Sequence, residues 1–437
     1  MLSRKRPWRN AWSFWRLPID KLDANRLGRI LIRLFMTLVL LALSGWLLRF
    51  NWLQRPIHYR NYAFSSEESR RLRLFARAQY AHGMHAWLQN DPETAAGFFR
   101  QAVTQEVFFL DAWLRLAEAE AMMGRSAKSR EILLFTTSLT GAVFRWKWPQ
   151  MLLARELGSD EIFYRNTNFL LSQRVLQEDA LQLLHNHFGG NATAAVTVLD
   201  SDNFVSYLKW LMQRGMTEET LTVWQKIIEN ERADAATALR YAHFLLNNMR
   251  ITESRTIWQA YLAVDGMTNA GFENEISQLG FDWRHWNDKD GNWVIKRVIQ
   301  EAFEGKYALR ISFAGRRNIS FQNVYQIVPV VPLERFRLNY AWKSAELTTD
   351  QGPFIEIVGY DQKGFSQTGP MMTGTHKWRQ EVIEFRPPEG CRAAVVRVRR
   401  RPSHRFDSKI KGSLWLDNFG LEMLSTENKQ ILSEKTP

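Results

Sequence analysis

Only one cysteine, Cys391, occurs in the 437 residues, so neither an intramolecular disulfide nor a zinc cluster of several thiolates can be built. A small hydrophobe inside a strand is the role expected of it. The chain also lacks the signatures of common catalysts: there is no P-loop, no G-x-S-x-G elbow, no H-E-x-x-H pair and no glycine-rich dinucleotide turn. Acidic residues are scarce at the start, where residues 1–33 hold nine Lys or Arg against Asp20 and Asp23. Such a tail fits nucleic acid or an anionic membrane surface, and the apolar run right after it favours the membrane over nucleic acid. The low apolar content of disordered chains is not found either, since 45% of residues are hydrophobic and 24% charged, an ordinary balance for folded domains.

Leu34 to Leu48 (LFMTLVLLALSGWLL) carries no charge. At the helical rise it spans about 22 Å, short of a ~30 Å hydrocarbon layer. With Arg33 and Arg49 snorkelling, the span extends from Ile30 to Leu53, roughly 36 Å, and Trp46 and Trp52 suit one interface. A signal peptide ending at Ala42-Leu43-Ser44 would be cut inside the apolar run, and a buried core helix would not need basic flanks. Five Lys or Arg between Arg16 and Arg33 face three (Arg49, Arg55, Arg60) beyond the run, which points the N-terminus into the cytoplasm. The expectation is a single-pass protein of a bacterial inner membrane. It has a basic cytoplasmic tail (1–29), a transmembrane helix (30–53), a linker (54–65) and its bulk in the periplasm.

From 66 to 265 apolar residues recur at three- and four-residue spacing with few prolines, which predicts helices. Tyr207 and Tyr241, Trp224 and Trp258, and Gln225 and Gln259 each stand thirty-four positions apart. That period, with Gly83, Ala95, Phe99 and Ala102 at small, small, bulky and small packing positions and Trp113, Leu116 and Gly124 continuing the frame, resembles the tetratricopeptide repeat. Small residues let paired helices approach while the aromatic fills the groove to the next hairpin. The match covers 76–143 and 201–262; the stretch between looks like further hairpins in a degenerate frame, and Ser129 stands where alanine is usual. The resemblance implies a docking surface for a protein partner. His82 with His85, and His185 with His187, lack a carboxylate or cysteine at ligand spacing, so structural roles are expected of them.

From 266 to 426 the texture changes to short alternating stretches parted by Gly, Pro, Asn and Asp. KYALRISFAG alternates Tyr307, Leu309, Ile311 and Phe313 with other residues, and RFRLNYAWKS does so with Phe336, Leu338, Tyr340 and Trp342, as half-buried antiparallel strands do. About eight strands at sandwich spacing are expected. In NDKDGN, Asp288 and Asp290 suggest a plain turn rather than a calcium loop.

The order of NAGFE, YALRISFAG, QIVPVVPLERFRL, HKWRQEVIEFRPPEG and LWLDNFGLEML, from Asn269 to Leu424, resembles the jelly-roll, galactose-binding-like carbohydrate-binding modules. NAGFE looks like their first strand. The resemblance implies a structural Ca²⁺ at Glu273 and Asp417, with carboxylates bonding backbone amides as the alternative. No cofactor is otherwise required. Sugar recognition needs an aromatic platform with polar neighbours, and Trp283, Trp286, Trp293, Trp342, Tyr360 and Phe365 are the supply. Trp283 and Trp286 lead because they lie in a loop-like segment; Trp378 and Trp415 fall at positions that look like core. Arg397 and Arg399, with Arg400 and Arg401, fit either anionic sugars or a solvated strand face.

The chain is therefore expected to be a multidomain α plus β protein: a transmembrane helix, an α-solenoid of tetratricopeptide-like hairpins and an antiparallel β-sandwich, with a disordered tail at 427–437. No further domain remains to supply the carboxylate pair that glycosidic hydrolysis needs about 5 to 10 Å apart. A non-enzymatic accessory factor in envelope or exopolysaccharide assembly is the expectation, with a purely structural jelly roll or an unrecognised enzyme as alternatives.

Overall fold

The structure, a computed structural model, describes residues 26–58, 75–262, 266–405 and 408–424. The basic tail before residue 26, residues 59–65 of the linker and the terminal 427–437 lie outside the described residues. Helices come first and an antiparallel sandwich follows, in the order expected from the two hydrophobic periods. The chain divides into two compact units, 1–170 and 171–437.

In the first unit, α1 (Arg26–His58) is one continuous helix that runs through the apolar stretch and on into the first residues of the expected linker. Ile32–Arg49 is apolar enough to cross a membrane and none of it is buried within the chain. Leu38, Leu41 and Leu48 are all exposed, so this helix is not a core element here.

The hairpins that follow keep a fixed step. Helices α2 (Ala76–Leu88), α4 (Leu110–Met122) and α6 (Phe144–Glu156) begin thirty-four residues apart, and so do their partners α3 (Pro92–Gln105), α5 (Ser126–Thr140) and α7 (Asp160–Ser172). The first part of the stretch expected to be degenerate, as far as Ser172, is thus in frame. Asp91 shows why a helix starts where it does: its side chain accepts from Thr94 N, and Pro92 at the first helical position has no N–H to satisfy. Gly83 faces the ring of Phe99 so closely that a Cβ would lie 2.5 Å from Cε1. Ala95 and Ala102 are fully buried beside it. Trp113 packs edge-on to Phe135 at 4.9 Å and donates to Val107 O. Gly124 is a correction: it holds φ +74° at the turn after α4 with open space around it, so it ends a helix rather than packing one. The packing position equivalent to Gly83 is Ala117, eighth in its helix. Ser129 stands in place of alanine with its buried hydroxyl satisfied, donating to Ala117 O at 2.7 Å.

The second unit begins with α8 (Gln177–His187), α9 (Ala192–Thr197), a 3-10 turn (Ser201–Asn203) and α10 (Phe204–Gln213). Three more helices follow, α11 (Thr217–Glu229), α12 (Ala235–Asn247) and α13 (Ile251–Leu262). Ser254 donates to Ala242 O at 2.7 Å, repeating the bond of Ser129 at the equivalent position of another hairpin. Trp224 packs at 4.9 Å against the tilted ring of Tyr241 inside the helical layer. Its thirty-four-residue partner Trp258 turns to the start of the β module, 6.0 Å from Phe281 and bonded through Nε1 to Thr268. Gly280 makes room for it, since a Cβ there would lie 2.2 Å from the Trp258 ring.

The sandwich has two five-stranded antiparallel sheets. In chain order its strands are β1 (Arg284–His285), β2 (Trp293–Ile299), β3 (Tyr307–Ala314), β4 (Phe321–Pro329) and β5 (Phe336–Thr348), then β6 (Phe354–Gly359), β7 (Ser366–Thr368), β8 (Gly374–Phe385), β9 (Ala393–Arg400) and β10 (Lys411–Met423). One sheet runs β1-β4-β9-β6-β7 and the other β2-β3-β10-β5-β8. Leu309, Ile311 and Phe313 of β3, Leu338, Tyr340 and Trp342 of β5 and Val396 and Val398 of β9 meet between them. Alternation thus predicted the inward faces correctly. NAGFE is not a strand: Asn269 and Phe272 take positive φ, and the turn drives the Phe272 ring into the core. Cys391 lies in the core two residues ahead of β9, with its thiol pushed up to about 11 by burial, which leaves it inert.

Candidate functional site

Along β9, Ala394, Val396 and Val398 point into the sandwich, so Val395, Arg397 and Arg399 stand on the outer face of its sheet. The register carries that face across all five strands. Arg284 of β1 pairs with Tyr325 of β4, Tyr325 with Arg397 of β9, Arg397 with Glu356 of β6 and Glu356 with Thr368 of β7. These five side chains therefore form one row, although only Glu356 and Thr368 come from neighbouring segments of sequence.

Glu356 is only 4% exposed and is held from two sides. The Arg397 guanidinium meets one of its oxygens at 2.7 Å and Arg401 meets the other at 3.4 Å. A buried carboxylate left unpaired would be costly, so this pair is built into the sheet. Gln322, exposed at the start of β4, accepts through one amide oxygen from both Arg397 (3.3 Å) and Arg399 (3.0 Å). Arg399 has no carboxylate in ion-pair range among the described residues, and its guanidinium is pushed below the usual arginine range by burial and by the charges of Arg397 and Arg401. Arg400 points the other way: it is fully buried and bonds Ile319 O, Ser408 O and Gln351 O, tying loops together.

At the β1 end of the row, Trp286 is 49% exposed and meets Tyr325 edge-on, 5.9 Å between centroids. Residues 284 and 286 share a face in an extended segment, which is why Arg284 also lies 5.6 Å over the Tyr325 ring. Arg284 donates to Gly280 O at 2.9 Å and stands 3.2 Å from His243 Nδ1 of α12. Tyr360 reaches the same helix, its hydroxyl donating to Leu246 O at 3.1 Å.

Of the aromatic candidates, Trp286 alone is exposed. Trp283 is 1% exposed, wedged between Phe272 and Phe419 at 5.1 and 4.8 Å, and Trp342 is 3% exposed in the core beside His376. Neither is a platform, because both rings lie in the core between the two sheets. Tyr360 is committed to a helix carbonyl. Trp415 is buried but outside the core: it lies on the outer face of the second sheet beneath the Lys343 ammonium at 4.6 Å. Arg397 and Arg399 are brought together as the sequence proposed. Tyr325, Gln322 and Glu356 went unforeseen; the outward parity of Tyr325 in NVYQIVPV was the available signal.

Glu273 and Asp417 come together as expected, on either side of the turn at 303–307. Glu273 accepts from the N–H groups of Lys306 and Tyr307 at 2.9 and 3.0 Å, and Asp417 from those of Phe303, Glu304 and Asn418 at 2.8, 3.1 and 2.7 Å. A calcium ion needs six to eight oxygens, whereas this turn offers N–H donors. No group of three His, Cys, Asp or Glu forms around them among the described residues. As arranged, the residues do not fit a calcium site, and the amides pin the NAGFE segment and β10 to the turn between them. Asp288 likewise caps its own turn, accepting from Asn292 N at 2.9 Å.

No protein-family model matches this chain, and no curated protein matches it. Solved structures resemble the sandwich in part. TmCBM61, solved with β-1,4-galactotriose, is 21% identical over 37% of this chain and 100% of its own, with a TM-score of 0.26. The CBM22-1 xylan-binding domain of Xyn10C from Paenibacillus barcinonensis is 17% identical over 37% of this chain and 96% of its own, with a TM-score of 0.26. A Stig cyclase from Fischerella is 13% identical over 37% and 98%, with a TM-score of 0.25. At these scores the likenesses say nothing of a ligand for this chain.

Proposed function

We propose that this protein is a membrane-anchored, non-catalytic periplasmic binding or scaffold protein, an accessory factor in cell-envelope or exopolysaccharide assembly. In this reading α1 holds the chain in an inner membrane with the basic tail in the cytoplasm. The hairpins, taken as tetratricopeptide-like, dock a protein partner. The outer face of the β1-β4-β9-β6-β7 sheet takes a glycan. One observation supports the last part most: the exposed Trp286, set against Tyr325, stands at the end of a row of guanidinium, carboxylate and hydroxyl groups. Apolar ring faces suit the C–H face of a pyranose, and the adjoining donors and acceptors suit its hydroxyls. No calcium is required, because backbone amides already hold Glu273 and Asp417.

The test uses the full chain, recovered from membranes after alkaline washing and solubilised in detergent, against a panel of purified envelope polysaccharides. Retention in the washed membranes and binding at millimolar concentration or below are expected, with a loss of about tenfold or more in Trp286→Ala and in Tyr325→Ala. Release on washing removes the anchor, and a panel without a binder removes the glycan.

A second reading, a scaffold whose sandwich only buttresses the hairpins, is favoured by the contacts of α12 and α13 with the β module through His243, Leu246 and Trp258. Under it the same two substitutions change neither glycan retention nor folding.

A further inference from the structure

The outer face carries more positive charge than its own structure uses. Arg284, Arg397, Arg399 and Arg401 stand on it, and among the described residues the carboxylate that pairs with them is Glu356, both of whose oxygens are already occupied by Arg397 and Arg401. Arg397 and Arg399 are two residues apart on one face of a strand, about 6.6 Å, a spacing at which like charges repel. A sheet needing only solubility would place an acid or a neutral residue at one of them. Arg399 instead bonds a neutral amide oxygen and lies across the ladder from Phe354, with no counter-charge of its own among the described residues. Arg401 is 61% exposed and its cation also overlies the Phe354 ring at 5.6 Å. The guanidinium plane is suited to a two-point bond with a carboxylate or phosphate, which neither Gln322 nor water supplies in that form.

We propose that the glycan bound on this face is anionic, carrying a carboxylate or phosphate on its sugar units, with Trp286 and Tyr325 against a ring and Arg399 and Arg401 on the negative group. The inference rests on the glycan reading above and adds the chemical class of ligand. Neighbouring sugar units then span the face in a fixed direction, from the aromatic end at β1 toward the Arg399 and Arg401 end of β9. The excess charge is balanced only in the complex.

The experiment compares the detergent-solubilised full chain with polygalacturonate, a phosphomannan and an uncharged galactan of matched length, by titration calorimetry at two salt concentrations. Binding to one or both charged polymers is expected at least about tenfold tighter than to the galactan, weakening as salt screens the pairs. Which charged polymer wins tells carboxylate from phosphate. Arg399→Gln is expected to remove most of the preference for charge while leaving the melting temperature unchanged, and Arg401→Gln provides an independent second variant should the first misfold. Trp286→Ala is expected to weaken the charged and neutral polymers alike. Equal binding of galactan and charged polymers overturns the anionic inference while keeping the glycan reading. Binding of none of the three overturns both. Equal binding of single-stranded DNA, indifferent to Trp286→Ala, reduces the face to a general polyanion patch and overturns the inference.

Discussion

Gly83 and Phe99 show how much one side chain decides in the hairpins. Helix propensity alone favours alanine over glycine by about 1 kcal/mol, yet a methyl group at position 83 collides with the Phe99 ring. Overpacking of this kind costs about 1–3 kcal/mol, so the collision outweighs the propensity gain. Gly83→Ala is expected to lower the melting temperature, and adding Phe99→Leu to recover part of the loss; an unchanged or raised midpoint in thermal denaturation contradicts the packing. Single residues also mark what could be read from sequence. Trp283 and Trp286 looked equivalent in a loop-like segment, but three positions apart in an extended chain they must face opposite ways, and Trp283 went to the core. Trp342 lay in an alternating run with Leu338 and Tyr340, so its burial followed from parity.

At the scale of elements, α12 meets the β module through His243. Its Nδ1 accepts from Gly280 N at 2.9 Å, so the neutral ring carries its proton on Nε2. Burial, and then the nearby Arg284 charge, hold the imidazole below the usual histidine pKa. A lowered pKa in the folded state means that the unfolded chain binds the extra proton more readily. The stabilisation is therefore complete above about 6.5 and is lost as pH falls through the lower, folded value. Melting temperatures between pH 7.5 and 5 are expected to fall less steeply for His243→Asn than for the parent chain. Equal slopes contradict it, since His82, His185 and His285 also resist protonation and titrate in both proteins. Elements of this kind were legible only in part. Helices and strands follow from periods of 3.6 and 2 among neighbours in sequence, and the thirty-four-residue step was visible in the tryptophans. The start of the β module was misread as a strand because NAGFE holds its place through positive φ and one buried ring.

For the molecule as a whole, the order of helices before sandwich was written in local patterns, whereas the face of the sheet was not. Arg284, Tyr325, Arg397 and Glu356 become neighbours only through the crossovers of the jelly roll, and no local rule brings 397 beside 325 or 356. That is why the arginines of β9 were seen and their aromatic and acidic companions were not. The central claim is that this face is where the protein touches a glycan. Hydrogen–deuterium exchange on the full chain, with and without the tightest-binding polysaccharide, tests it most directly. Slower exchange confined to residues 284–287, 321–325, 354–358 and 395–401 is expected; protection in β3, β8 and β10 of the other sheet, or in the hairpins alone, contradicts it.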